Sequence, residues 1–186
     1  MGSHVIPESE VIQDLRVSAF IDGKTPDFSG PRKRQAADRL VEQYLMLQDA
    51  ALSHVALPGV SEAQPLLDQI KKRYASEADY QLALRQAHIT ESQLVLRLTE
   101  GLQMMRYTDL RFRPEVQISE RDLREYYDTM VSQWKEQHQA EIPSFEESRP
   151  QLEKLLTDQR VMQALDRWLG MTRTETQILY RDAAFK

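Results

Sequence analysis

Residues 106–127 read RYTDLRFRPEVQISERDLREYY. A basic and aromatic run of helical character meets Pro114, which has no N–H for the helix ladder and pushes Arg113 away from the helical region of backbone space. Val116 and Ile118 then predict a short extended bridge. Ser119, with Asp122 three residues on, predicts the cap of a new helix. A chain that stops a good helix and restarts it within a few residues is changing the direction of a helical body. The break predicts an arm set at an angle, with a groove between arm and body.

Working outward, other helix starts carry the same signature. Ser61 with Gln64, Ser76 with Asp79, Thr90 with Gln93 and Ser144 with Glu147 all have cap spacing. The Thr90 and Ser61 pairs fit the strict capping box, and Ile89 with Leu94 and Ile118 with Leu123 predict hydrophobic staples. Between the caps the apolar residues recur at the helical period. The spacing predicts helices over about 32–54, 60–74, 76–87, 90–113, from 119 through Trp134, and 144–173. Pro150 either kinks the last one or marks its first turn. Gly101 sits mid-helix, where close approach of a second helix would account for it.

Two stretches do not read as helix. Residues 16–21, RVSAFI, run into Asp22-Gly23, a turn signal. Residues 176–180, TQILY, are β-branched and apolar near the other end. A bare two-stranded ribbon is marginal in water, so the two are expected to pair with each other against the helices, bringing head and tail together.

Composition narrows the classes. The chain has 186 residues, 41% apolar and 28% charged, which suits one core-forming domain. The start, MGSH, reads as a cloning scar, so residues 1–10 are expected to be scar and flexible start, with a single domain over 11–186. There is no cysteine, so disulfides and thiolate metal sites are excluded. The net charge of −5 argues against general attraction to nucleic acid or anionic membranes, and no apolar stretch is long enough to insert into a bilayer.

Chemistry-bearing motifs are lacking. The four histidines, His4, His54, His88 and His138, have no partners at metal spacing, so no metal and no cofactor is expected. No Gly-rich phosphate loop and no nucleophile elbow is present. Glu146 and Glu147 lie where a helix start favours negative charge. The basic run Pro31-Arg32-Lys33-Arg34 reads as a solvated loop. Met104 and Met105 are neighbours and cannot both face one core. With Tyr107, Phe112, Tyr126, Tyr127 and Trp134 they form the candidate apolar surface for a partner, each alternatively a core side chain.

The order of segments is more specific. VSAFIDG (17–23) precedes RLVEQYLMLQDAAL (39–52). A helical pair follows, then ITESQLVLRLTEGLQMMRYTDLRF (89–112), RPEVQISERDLREYYD (113–128) and FEESRPQLEKLLTDQRVMQALDRWLGMTRTETQILY (145–180). This series resembles the N-terminal chaperone module of the SurA-like periplasmic chaperones, a family often joined to parvulin-type prolyl isomerase domains. The resemblance implies a mainly α module in which an N-terminal part (11–139) is closed by a returning helix and strand (144–182), through a short β-ribbon. The isomerase domain would enter before Phe145, but the chain holds no glycine between Gly101 and Gly170, so the enzyme part is absent. The first turn departs as well: Asp22-Gly23-Lys24 leads into a long loop.

The resemblance implies an ATP-independent periplasmic holdase that binds unfolded client polypeptides through an apolar groove floored by Met104, Met105, Tyr107, Phe112, Tyr126, Tyr127 and Trp134, its native signal peptide removed. The alternative is a non-catalytic interaction module for a dedicated envelope partner, including a homodimer that exchanges the C-terminal helix.

Overall fold

The expected strand at 16–21 lies inside a helix. In the computed structural model, which describes residues 4–136, 142–181 and 185, helix α1 runs Glu8–Asp22. Pro7 precedes it in extended conformation, and Glu8 and Glu10 place negative charge at its positive end. Gly23 ends it at φ 66°, in the left-handed region. The Gly23 N–H donates to the Phe20 carbonyl at 3.2 Å and the Lys24 N–H to Ala19 at 2.8 Å. The Asp-Gly signal is thus a helix C-cap rather than a hairpin turn. The Arg73 guanidinium also donates to the exposed Ile21 carbonyl at 2.6 Å. Residues 177–181 carry no regular structure. Among the described residues there is no strand, and the β-ribbon expectation is corrected.

Six more helices follow: α2 Gly30–Leu52, α3 Gln64–Lys71, α4 Glu77–Gln86, α5 Glu91–Phe112, α6 Glu120–Glu136 and α7 Phe145–Glu175. Helix α3 is shorter than its apolar spacing predicts, because residues 60–63 form a 3-10 turn. That turn is held by the Gly59 N–H donating to Glu62 Oε1 at 3.2 Å, and the expected Ser61 cap is not formed: α3 starts after Ala63 with no side-chain cap. The other capping expectations hold. Ser76 Oγ accepts from the Asp79 N–H at 3.2 Å. Thr90 and Gln93 bond reciprocally at 3.2 and 2.8 Å, as do Ser119 with Asp122 and Ser144 with Glu147.

The break at Pro114 is a 3-10 turn over Arg113–Glu115, after which Val116 is extended and Ser119 starts α6. Helix α7 is continuous through Pro150. The proline sits in the second turn, where it deprives only the Glu146 carbonyl of an N–H partner.

The chain divides into two compact units. One comprises Met1–Tyr107 with Arg173–Lys186, the other Thr108–Thr172, where the composition suggests one domain over 11–186.

The first unit has two apolar clusters that share α1. Val17 and Phe20 pack with Leu67, Ile70, Tyr80, Leu84, Ile89 and Leu94 of α3, α4 and the start of α5. Val11 and Leu15 pack with Ala36 and Ala37 of α2. Helix α1 is therefore apolar on two faces, and its period is obscured when only 16–21 is read.

The second cluster is covered by Tyr180 and Phe185 from the C-terminal segment. Arg173 bridges Asp38 at 2.8 Å and Glu42 at 2.7 Å, and the Tyr180 hydroxyl donates to Asp38 at 2.5 Å. The Arg34 guanidinium lies 3.5 Å from the centre of the Tyr180 ring. Head and tail of the chain do meet, through side chains of α1, α2, the end of α7 and the irregular segment after it rather than through a strand ladder.

The second unit is built on Leu123, Leu152 and Leu156, with Ile118, Tyr126, Tyr127, Met130 and Phe145 against them. Arg160 ties α7 to the start of α6, donating to the Gln117 carbonyl at 2.7 Å and pairing with Asp122 at 2.6 Å.

Candidate functional site

The seven candidate side chains are split between the units and between core and surface. Tyr107 has 0% of its surface exposed, and its hydroxyl donates to Asp49 at 2.7 Å. Phe112 is buried, its ring 6.0 Å from that of Trp168. Neither offers surface to a client. Tyr126 and Tyr127 are half-buried against the Leu123 cluster. The Tyr127 hydroxyl donates to the Pro143 carbonyl at 2.7 Å, and its ring stands edge-on to Trp134 at 6.4 Å. Met104 is half-buried. Met105, on the next face of α5, is 69% exposed. Met105 lines a cleft.

That cleft lies within the first unit and has a volume of about 440 Å³. Helix α1 contributes Ser18, Ile21 and Asp22, α2 contributes Arg39 and α3 contributes Leu66. Helix α5 contributes Arg97, Leu98, Gly101, Leu102 and Met105. Residues 98, 101, 102 and 105 are one turn apart and so share a face of α5. Gly101 does not mark a closely packed helix, contrary to expectation. A Cβ there would meet only Arg97 Nη1, at 4.0 Å. The missing side chain instead leaves the cleft open along α5.

At one side of the cleft two cations share one anion. Asp14 is buried, 8% exposed. Arg39 Nη2 donates to its Oδ2 at 2.6 Å and Arg97 Nε to its Oδ1 at 3.2 Å. The carboxylate thus orients two guanidinium groups from different helices. One turn after Arg97, burial pushes the Glu100 carboxyl above the ordinary glutamate range, against a Gln43 hydrogen bond and the Arg97 charge. Ser18 Oγ is buried, with no hydrogen-bond partner among the described residues.

A second depression of about 430 Å³ is lined by Val60, Glu91, Ser92, Val95 and Leu96. Leu96 and Val60 are both exposed apolar side chains, and Glu91 is held by Lys71 at 2.8 Å.

Chemically, the first cleft can hold an apolar group and a hydrogen-bond acceptor side by side. Among the described residues no three His, Asp or Glu side chains are grouped to hold a metal ion, and no helix is long and apolar enough to cross a membrane.

The cleft's aliphatic floor was missed because Leu66, Leu98 and Leu102 read as ordinary helix-core positions and Ile21 as part of a short strand. The available signal was Gly101, a residue with no helix-favouring reason to be there. No protein-family model, no curated protein and no solved structure matches this chain.

Proposed function

We propose that this chain is a non-catalytic polypeptide-binding module that holds extended apolar segments of other proteins, an ATP-independent holdase of the cell envelope. The observation that carries the proposal is the open cleft in the first unit. Ile21, Leu66, Leu98, Leu102 and Met105 surround a gap that the Gly101 backbone leaves unfilled. A concave, mainly aliphatic site with a few polar groups suits a ligand that is largely apolar. Methionine adds a flexible, polarisable contact that adapts to varied side chains. The net charge of −5 favours solubility of a complex carrying apolar cargo. The envelope location and the unfolded-client class rest on the resemblance of segment order to the SurA-like chaperones.

The test is aggregation of a denatured outer-membrane protein, followed by light scattering. Stoichiometric wild-type chain is expected to delay it. Gly101→Leu, which fills the cleft from a helical position, is expected to abolish the delay while keeping the melting temperature. No delay from the wild type overturns the holdase reading.

A second reading, a module for one dedicated partner or a second copy, is favoured by a different feature. Leu155 and Met162 are exposed on α7 and lie seven residues apart, so they share one helical face. Sedimentation velocity separates the two. A concentration-dependent dimer lost in Met162→Glu favours the second reading, and a monomer that binds many denatured clients favours the first.

A further inference from the structure

We infer that the cleft of the first unit selects the C-terminal end of a polypeptide, an apolar last residue together with its α-carboxylate. The inference rests on the peptide-binding reading above and adds the ligand's charge and polarity.

Arg39 and Arg97 reach the cleft from α2 and α5, and each uses one nitrogen on Asp14. A guanidinium carries five N–H donors, so both retain donors for a second acceptor. Asp14 is buried and fixed between them, so the pair is held in place before any ligand arrives, which lowers the cost of ordering on binding. The two cations face one buried carboxylate from different helices, and Glu100, one turn from Arg97, is a further acid beside them. The other acid on the lining, Asp22, has its own cation, Lys24 Nζ at 3.6 Å. Glu100 lies nearby, its pKa raised by burial, with Asp14 and Glu10 adding to the rise. A buried, unpartnered Ser18 Oγ on the same lining is a further group suited to a polar ligand atom.

The aliphatic floor begins beside the cations: Leu98 follows Arg97, and Gly101 and Leu102 lie one turn further. A ligand must therefore carry an anion and an apolar group a short distance apart. In a C-terminal residue the carboxylate and the side chain branch from one Cα, which meets that requirement with the least length. An internal acidic side chain sets its carboxylate away from the apolar neighbour and brings a continuing chain that a cleft of about 440 Å³ must also accommodate. Carboxylate on guanidinium is a strong, charge-assisted pairing, and capture of a chain end by fixed donors is an established recognition mode.

The experiment uses the full chain and three fluorescein-labelled hexapeptides, followed by anisotropy. One is serine-leucine-serine-leucine-valine-leucine as the free acid. The second is the same sequence amidated. The third is amidated with an internal glutamate replacing the third residue. The free acid is expected to bind roughly ten-fold more tightly than its amide. Arg39→Gln is expected to remove that preference; because it also takes one partner from the buried Asp14, a lower melting temperature is expected with it, and binding is compared well below that midpoint. Equal binding of acid and amide overturns the chain-end inference and leaves apolar peptide capture standing. Equal binding of the free acid and the internal-glutamate peptide overturns the chain end in favour of an acidic side chain. If none of the three binds, or if Gly101→Leu binds them as the wild type does, the peptide-binding cleft itself is overturned.

Discussion

At the scale of single residues, the apolar surface and the apolar core are told apart by neighbours rather than by residue type. Tyr107 and Met105 lie two positions apart on α5, and both are large and apolar. One is fully buried with its hydroxyl on Asp49, the other 69% exposed beside the cleft. Two residues along a helix turn about 200°, so they face opposite ways. Gly101 is the residue whose type does carry information. Glycine inside a helix is disfavoured by about 1 kcal/mol against alanine, and a Cβ at this position meets nothing closer than Arg97 Nη1 at 4.0 Å. Gly101→Ala is therefore expected to stabilise the chain by about 0.5–1 kcal/mol, read as a higher urea midpoint with unchanged slope. A lower midpoint would show that the helix face around Gly101 is packed, and the cleft would lose its basis.

At the scale of elements, four of the five expected helix caps were legible and helix α1 was not. Four of the cap pairs depend only on residues three positions apart, a local geometry that tertiary packing did not alter. The Pro114 break was legible for the same reason, since proline withholds its own N–H, although Arg113 stays in the 3-10 turn and the chain turns extended only at Val116. Helix α1 was not legible. Its apolar residues serve two clusters, so Val11 and Leu15 lie on one face and Val17 and Phe20 on another, and no single stripe appears. Asp22-Gly23 is compatible with a hairpin or a helix end, and only the bonds back to Ala19 and Phe20 decide. The cleft is illegible for a further reason: its lining comes from four helices, a juxtaposition no local pattern encodes. Two outcomes belong to this scale. Gly23→Ala forces a Cβ into φ 66° and is expected to destabilise by about 1 kcal/mol, with Gly23→Asn costing distinctly less. Equal losses in the two urea titrations would mean that the left-handed cap does not limit α1. Acid acts on the caps. The Ser119 hydroxyl and N–H, with Arg160, hold the Asp122 carboxyl at about 2, below its ordinary 3.8, and Ser119→Ala removes part of that. A depressed folded-state pKa contributes stability that is complete above the unfolded value and is lost as pH falls through the folded one. Helicity of the wild type is thus expected to decline between about pH 4 and pH 2, and Asp122→Asn is expected to flatten that decline in far-UV circular dichroism.

At the scale of the whole chain, the last residues complete a cluster that begins with the first helix. Val11, Leu15, Ala36 and Ala37 are covered by Tyr180 and Phe185, so the first unit includes both ends of the sequence. A side chain at Gly30 would put its Cβ 2.1 Å from the Phe185 carbonyl oxygen, which shows how closely the tail lies on the start of α2. Deleting residues 177–186 removes two aromatic side chains, each partly buried, and full burial of such a side chain is worth about 1.5–3 kcal/mol. The truncation is expected to lower stability by roughly 2–3 kcal/mol without changing the cleft-lining helices. The effect has a pH signature that simple loss of apolar area lacks. Burial pushes the Asp38 carboxyl up, but hydrogen bonds from Tyr180 and Arg173 outweigh it and hold the group below 3.8. The Tyr180 part of that contribution is complete above 3.8 and fades as pH falls through the lower folded value. The full chain and the truncation are therefore expected to differ most at neutral pH and less in acid, where only the apolar share remains, whereas an apolar contact alone would keep their difference constant. A difference that stays level from pH 7 to pH 3 would assign the tail's hold to its rings alone, and the Asp38 latch would have no share in closing the molecule.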